Sequence, residues 1–114
     1  MDITYYKVEN DSIIKTDQVV KPADWSEKLN WINICVENRK DVTDYFQEVN
    51  LFKNLSQCIE KPEEHPFLNT FEKTIVLNIT ISKAANIYET DYISVIIDNH
   101  LLITITTQTD DYFN

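Results

Sequence analysis

Residues Ile3 to Val8 are β-branched and aromatic, Glu9, Asn10 and Asp11 interrupt them, and Ser12 to Thr16 resumes the run. This pattern predicts an amino-terminal hairpin. From Asp17 to Asn30 the chain holds Pro22 and the cluster Ala23, Asp24, Trp25 and Ser26, which suits a connection with one helical turn. Trp31 to Val36 reads as a second strand region. Val42, Tyr45, Phe46 and Val49 then recur at spacings of three, four and seven. They predict a helix with Asp41 as N-cap and Asp44 complementing the helix dipole. Leu51, Phe52, Leu55, Cys58 and Ile59 continue the helical period after a break at Asn50, and Pro62 and Pro66 bound an acidic loop. Glu72 and Lys73 read as the polar start of the next strand, where Ile75, Leu77, Ile79 and Ile81 alternate with Val76, Asn78 and Thr80. Because every odd position is apolar, that side is expected to be the strongly buried face and the other a mixed one. Tyr92 to Ile97 and His100 to Thr107 flank Asp98 and Asn99, the signature of a tight hairpin. Strands at both ends with two short helices between them predict an α/β (α+β sandwich) domain, a mixed, largely antiparallel sheet covered by short helices on at least one face.

The length of 114 residues allows one domain, residues 1–114, with a core that needs no disulfide or metal staple. Composition changes the functional picture more than the structural one. There is no glycine, so neither a Walker loop nor a dinucleotide-binding turn can be built, and the nucleophile elbow of the α/β hydrolases lacks its flanking glycines. The formal charge of −9 would repel phosphate backbones, which excludes nucleic acid as an expected partner. Cys35 and Cys58 match neither a C-x-x-C pair nor a zinc spacing and are expected to be reduced thiols in or near the core. No signal peptide precedes the mixed polar start, and the apolar runs fall far short of a membrane span. The chain as it stands reads as soluble and cytosolic.

Glu60, Glu63, Glu64 and His65 put carboxylates beside one of two histidines, a mixture able to hold a divalent cation. Adjacent residues on a proline-bounded loop rarely converge on one point, so a solvated acidic loop is the competing reading. His100 is expected to be a hairpin-edge side chain rather than a base, since no serine or cysteine stands near it in sequence. Trp25, Trp31 and the tyrosines lack the basic neighbours of a base-stacking groove and are expected to pack in the core or an interface. No nucleophile, base and oxyanion donor can be assembled from the spacing, so no enzyme activity is expected.

In element order, the stretch from Trp31 to Ile105 resembles the amino-terminal cytoplasmic domain of the CorA-like magnesium and divalent-cation transporters. The likeness lies in the strand Trp31-Ile32-Asn33-Ile34, the helix and short helix after it, the proline-bearing passage from His65-Pro66 into the aliphatic strand Ile75 to Ile81, and the closing hairpin with Leu102-Ile103-Thr104. It spans about two thirds of the chain, and its motifs are degenerate. The resemblance implies a fragment of a longer protein that continues past Asn114 into long helices and two membrane spans. Such a protein assembles as a homopentamer with neighbouring copies of itself, at the cytoplasmic face of the cell membrane. The family's Gly-Met-Asn pore signature cannot occur in a chain without glycine. This stretch would therefore serve assembly and gating, with no cofactor of its own, and Mg2+, Co2+ or Zn2+ would be the transported or regulatory ion. Gln57 and Cys58, followed by Ile59, occupy the positions of an acidic pair that in many members binds a regulatory cation. An amide and a thiol replace carboxylates poorly for a hard cation, so the resemblance implies a sensing site lost or moved to Glu60, Glu63 or Glu64. The strand ending near Ile105, with no covering element after it, looks cut. The alternative is a free-standing α/β protein-interaction or small-ligand-binding domain, complete at Asn114.

Overall fold

The hairpin signal at Glu9–Asp11 becomes β1 (Asp2–Glu9) and β2 (Ser12–Thr16), antiparallel and joined by Asn10 and Asp11 at φ 52° and 63°. Positive φ at both central residues is the turn geometry that matches strand twist, and Asn and Asp tolerate it best when glycine is absent. The computed structural model describes residues 1–83 and 86–107. It adds α1 (Trp25–Lys28), β3 (Trp31–Cys35), α2 (Arg39–Glu48), α3 (Ser56–Glu60), β4 (Phe67–Phe71), β5 (Thr74–Lys83), β6 (Asn86–Asp98) and β7 (Leu101–Thr106), with 3-10 turns at Pro22–Asp24, Lys53–Leu55 and Pro62–Glu64. The expectation about the chain's last residues falls outside this range.

The strands form one mixed sheet in the order β2-β1-β3-β7-β6-β5-β4, in which β3 and β7 pair in parallel and the other neighbours antiparallel. The α+β reading of the sequence is thus realised, with the three α-helices of the described residues on one face. Ile32, Ile34, Val76, Ile96, Ile103 and Ile105 project from the sheet into a core with Trp25, Val42, Phe46, Leu55 and Ile59 from the helical layer.

Four local expectations change. The N-cap of α2 is Asn38, not Asp41: the Asn38 side chain accepts from the Lys40 amide at 3.0 Å, so the helix starts earlier and Asp41 lies in its first turn. Asp98 still belongs to β6, paired with Leu101, so the tight loop is Asn99–His100. Glu72 and Lys73 do not start a strand but close a hairpin, because Phe67–Phe71 forms an additional strand against β5. Finally, the sides of β5 are exchanged. Val76 and Asn78 are the fully buried residues under the helices, whereas Ile75 and Leu77 are half-buried and Ile79 is 48% exposed on the opposite, open face. Apolar density alone does not decide which side of a strand meets the helices, since that depends on the register of the whole sheet.

The β4–β5 turn offers a direct check on local strain. Glu72 has φ 51° while Lys73 does not have positive φ, an arrangement that favours glycine at the first position. Glu72→Gly is expected to stabilise the domain by about 1 kcal/mol. The corresponding rise in thermal midpoint is about 4–6 °C; an unchanged midpoint would mean that the turn adopts another geometry in solution.

Candidate functional site

Arg39, the first residue of α2, crosses the helical layer beneath α3 and is only 8% exposed. Its Nη1 donates to the Ile59 carbonyl at 3.1 Å and to Ser94 Oγ at 2.6 Å, and Nη2 donates to the Tyr92 carbonyl at 2.6 Å. Ser94 Oγ donates onward to Asn78 Oδ1 at 2.6 Å, and Asn78 Nδ2 donates to the carbonyls of Cys58 at 3.1 Å and His65 at 2.8 Å. One guanidinium, one hydroxyl and one amide thus join α2, α3, the loop after it, and strands β5 and β6. Register places them together, since Asn78 pairs with Ser94 across β5 and β6.

Among the described residues the guanidinium has no ion-pair partner. It is held by neutral oxygens, and burial lowers its pKa, an effect opposed by Asp91 and Glu63 nearby. Arginine suits this place because its planar fork satisfies several fixed acceptors and is more weakly hydrated than an ammonium. Every buried side-chain nitrogen and oxygen among the described residues has a partner, so the network is satisfied and acts as a rigid strut.

Beside the strut lies an open hollow of about 590 Å³ lined by Glu37, Asn38, Arg39, Glu60, Pro62, Glu63, Tyr92 and Thr107. A smaller one of about 300 Å³ shares Glu37 and Thr107 and adds Asp2, Cys35 and Asp41. The charged side chains in these walls are carboxylates except for Arg39. Glu60 ends α3, where Oε1 accepts from Thr43 Oγ1 at 2.9 Å. Glu60 and Glu63 therefore share one hollow, while Glu64 and His65 do not line it. The His65 carbonyl serves Asn69 and Asn78. No three His, Cys, Asp or Glu side chains converge on a metal-sized point among the described residues. Gln57 is exposed on α3, whereas Cys58 is buried in the core and burial raises its thiol pKa, which leaves it protonated and a poor ligand at neutral pH.

The remaining sequence candidates fall into structural places. His100 lies in the β6–β7 loop, with Nε2 at 2.9 Å from the Ser26 carbonyl of α1. Trp25 is buried with Nε1 donating to the Val20 carbonyl, and Trp31 stacks on Tyr6 at 4.3 Å and donates to Thr104 Oγ1. Cys35 and Cys58 form no disulfide. Ser94, the hydroxyl at the heart of the network, faces a guanidinium and an amide, neither of which can take its proton.

Sequence reasoning missed Arg39, Asn78 and Ser94. The available signal was the polar residues Asn78 and Ser94 in otherwise apolar strands, and an arginine just before an apolar helical period.

No protein-family model and no curated protein matches the sequence. The fold is CorA-like. Among solved structures, the chain is similar to the CorA magnesium transporter from Methanocaldococcus jannaschii, with a TM-score of 0.62 and 14% identity over 96% of this chain and 33% of that one. The likeness is one of fold, and this chain spans about a third of the transporter's length. Among the described residues no helix is long and apolar enough to cross a membrane.

Proposed function

We propose that this chain is the cytoplasmic domain of a CorA-like Mg2+ or divalent-metal transporter, a non-catalytic module for assembly and gating of a membrane pore. The observation that carries this reading is the correspondence of fold over 96% of the chain. The rigid strut from α2 through α3 to the sheet supports it, because a domain that relays motion between neighbours must move as one body. The acidic hollows would raise the local concentration of divalent cations. In this reading the family's regulatory carboxylates are lost at Gln57 and Cys58, and Glu60 and Glu63 are the acidic residues near that place that share a hollow.

The test is a chimera in which residues 1–107 replace the corresponding domain of the M. jannaschii transporter, reconstituted in liposomes. A pentamer that takes up Mg2+, with closure by Mg2+ on the domain side weakened about tenfold or more, is expected from the missing carboxylates. A chimera whose domain is folded but which neither assembles nor conducts would remove the proposal.

A further inference from the structure

Arg39 uses only part of its hydrogen-bonding capacity in the strut. A guanidinium carries five N–H groups, and the bonds to Ile59, Ser94 and Tyr92 come from Nη1 and Nη2 alone. Nε–H and one Nη2–H therefore have no acceptor among the described residues. No buried side-chain nitrogen of those residues lacks a partner, so Nε is not sealed inside the protein. It reaches the open hollow of about 590 Å³ that Arg39 lines. The same walls hold Glu37, Glu60 and Glu63. The side chains of Glu37 and Glu63 are exposed and make no hydrogen bond or ion pair among the described residues, and the bond of Glu60 is the one its Oε1 accepts from Thr43. Glu63 lies near enough to Arg39 to act on its charge, yet no ion pair joins them. Spare donors and spare carboxylates thus border one space without meeting.

We infer that this hollow binds a small zwitterion, a free amino acid whose carboxylate meets the spare N–H groups of Arg39 and whose ammonium meets the carboxylates of Glu60 and Glu63. Simple ions leave half of the wall unmet. An anion suits the guanidinium but faces three carboxylates. A hydrated divalent cation suits the carboxylates, but Arg39 repels it and its waters donate where the guanidinium needs an acceptor. A molecule with both charges answers both. Asn38 and Arg39 also begin α2, so the positive end of the helix dipole favours the carboxylate on that side, and Pro62 in the wall offers apolar surface to the methylenes between the charges. The volume accommodates such a ligand with water beside it. Because the hollow is open, solvent screens these contacts, and a dissociation constant of about 1 mM is expected. The inference does not rest on the transport reading.

Titration of the 114-residue chain with glycine, β-alanine and γ-aminobutyrate, followed by the NMR signals of Arg39 Nε–H and the Asn38 and Tyr92 amides, tests it. These probes differ in the number of carbons between ammonium and carboxylate. At least one is expected to move the Arg39 signal saturably below about 10 mM, with acetate and methylammonium about tenfold weaker. Glu63→Gln, at an exposed position that leaves the strut intact, should weaken the amino acid about threefold and strengthen acetate. Glu27→Gln, on α1 away from the hollow, should change neither. Absence of any response to all three amino acids overturns the inference. Acetate binding as tightly as the amino acids overturns it in favour of a plain anion site, and a saturable response to MgCl2 in their place overturns it in favour of a cation site. An amino-acid affinity indifferent to Glu63→Gln and Glu60→Gln alike overturns it as well.

Discussion

Arg39→Ala is expected to lower the unfolding free energy by about 4 kcal/mol, a large share of the 5–15 kcal/mol typical of a domain this size. The substitution leaves the Ile59 and Tyr92 carbonyls and the Ser94 hydroxyl without their donors, at about 1–3 kcal/mol each where water cannot replace them. Two effects offset part of this. The open hollow lets water reach some of the freed acceptors, and the cost of burying a cation, visible in the lowered pKa of Arg39, disappears with the charge. Arg39→Met keeps most of the volume and should cost about 3 kcal/mol, which separates the lost hydrogen bonds from the cavity. Arg39→Lys keeps the charge but not the fork, and should cost about 2 kcal/mol. Urea unfolding measures all three as shifts in midpoint at constant slope. A loss below about 1 kcal/mol for the alanine variant would show that the strut contributes little.

The second large effect is expected at Asn78. Asn78→Leu makes β5 more uniformly apolar and adds hydrophobic transfer energy, yet it should destabilise the domain by about 3 kcal/mol. The Cys58 carbonyl loses its donor, the His65 carbonyl keeps only that of Asn69, and the Ser94 hydroxyl loses its acceptor, at a position that is 1% exposed. Because Arg39 and Asn78 meet through Ser94, their effects should not add. A double-mutant cycle with Arg39→Met should show coupling of about 1 kcal/mol or more. Strict additivity would mean that the network is two independent contacts. A stabilised Asn78→Leu variant would mean that hydrophobic pattern outweighs polar satisfaction at this strand.

Much of the local structure was legible because it depends on near neighbours. The Asn10–Asp11 turn, the helical face Val42–Tyr45–Phe46 and the break at Asn50, which has φ 63°, all follow from residues a few positions apart. The strand Phe67–Phe71 was missed because its flanking proline and mixed polarity read as a loop. It exists through pairing with β5, a partner the local sequence does not announce. The candidate site was hidden for the same reason. Arg39, Asn78 and Ser94 lie 16 to 55 residues apart, and their meeting is a product of sheet register and of the placement of α2.

The sequence by itself determined the early and late strands with helices between them and, having no glycine, the absence of glycine-dependent phosphate sites. Those properties rest on composition and short-range periodicity. Only the tertiary structure decided which face of β5 lies beneath the helices. A strand's period of two makes its faces differ but does not say which one a helix will cover, and here the polar contacts of Asn78 and Ser94 accompany the less uniformly apolar side. Among the described residues the more apolar side carries no helix because the helices of a mixed sheet cover the face to which their connections lead, and that is a property of chain topology, not of local hydrophobicity.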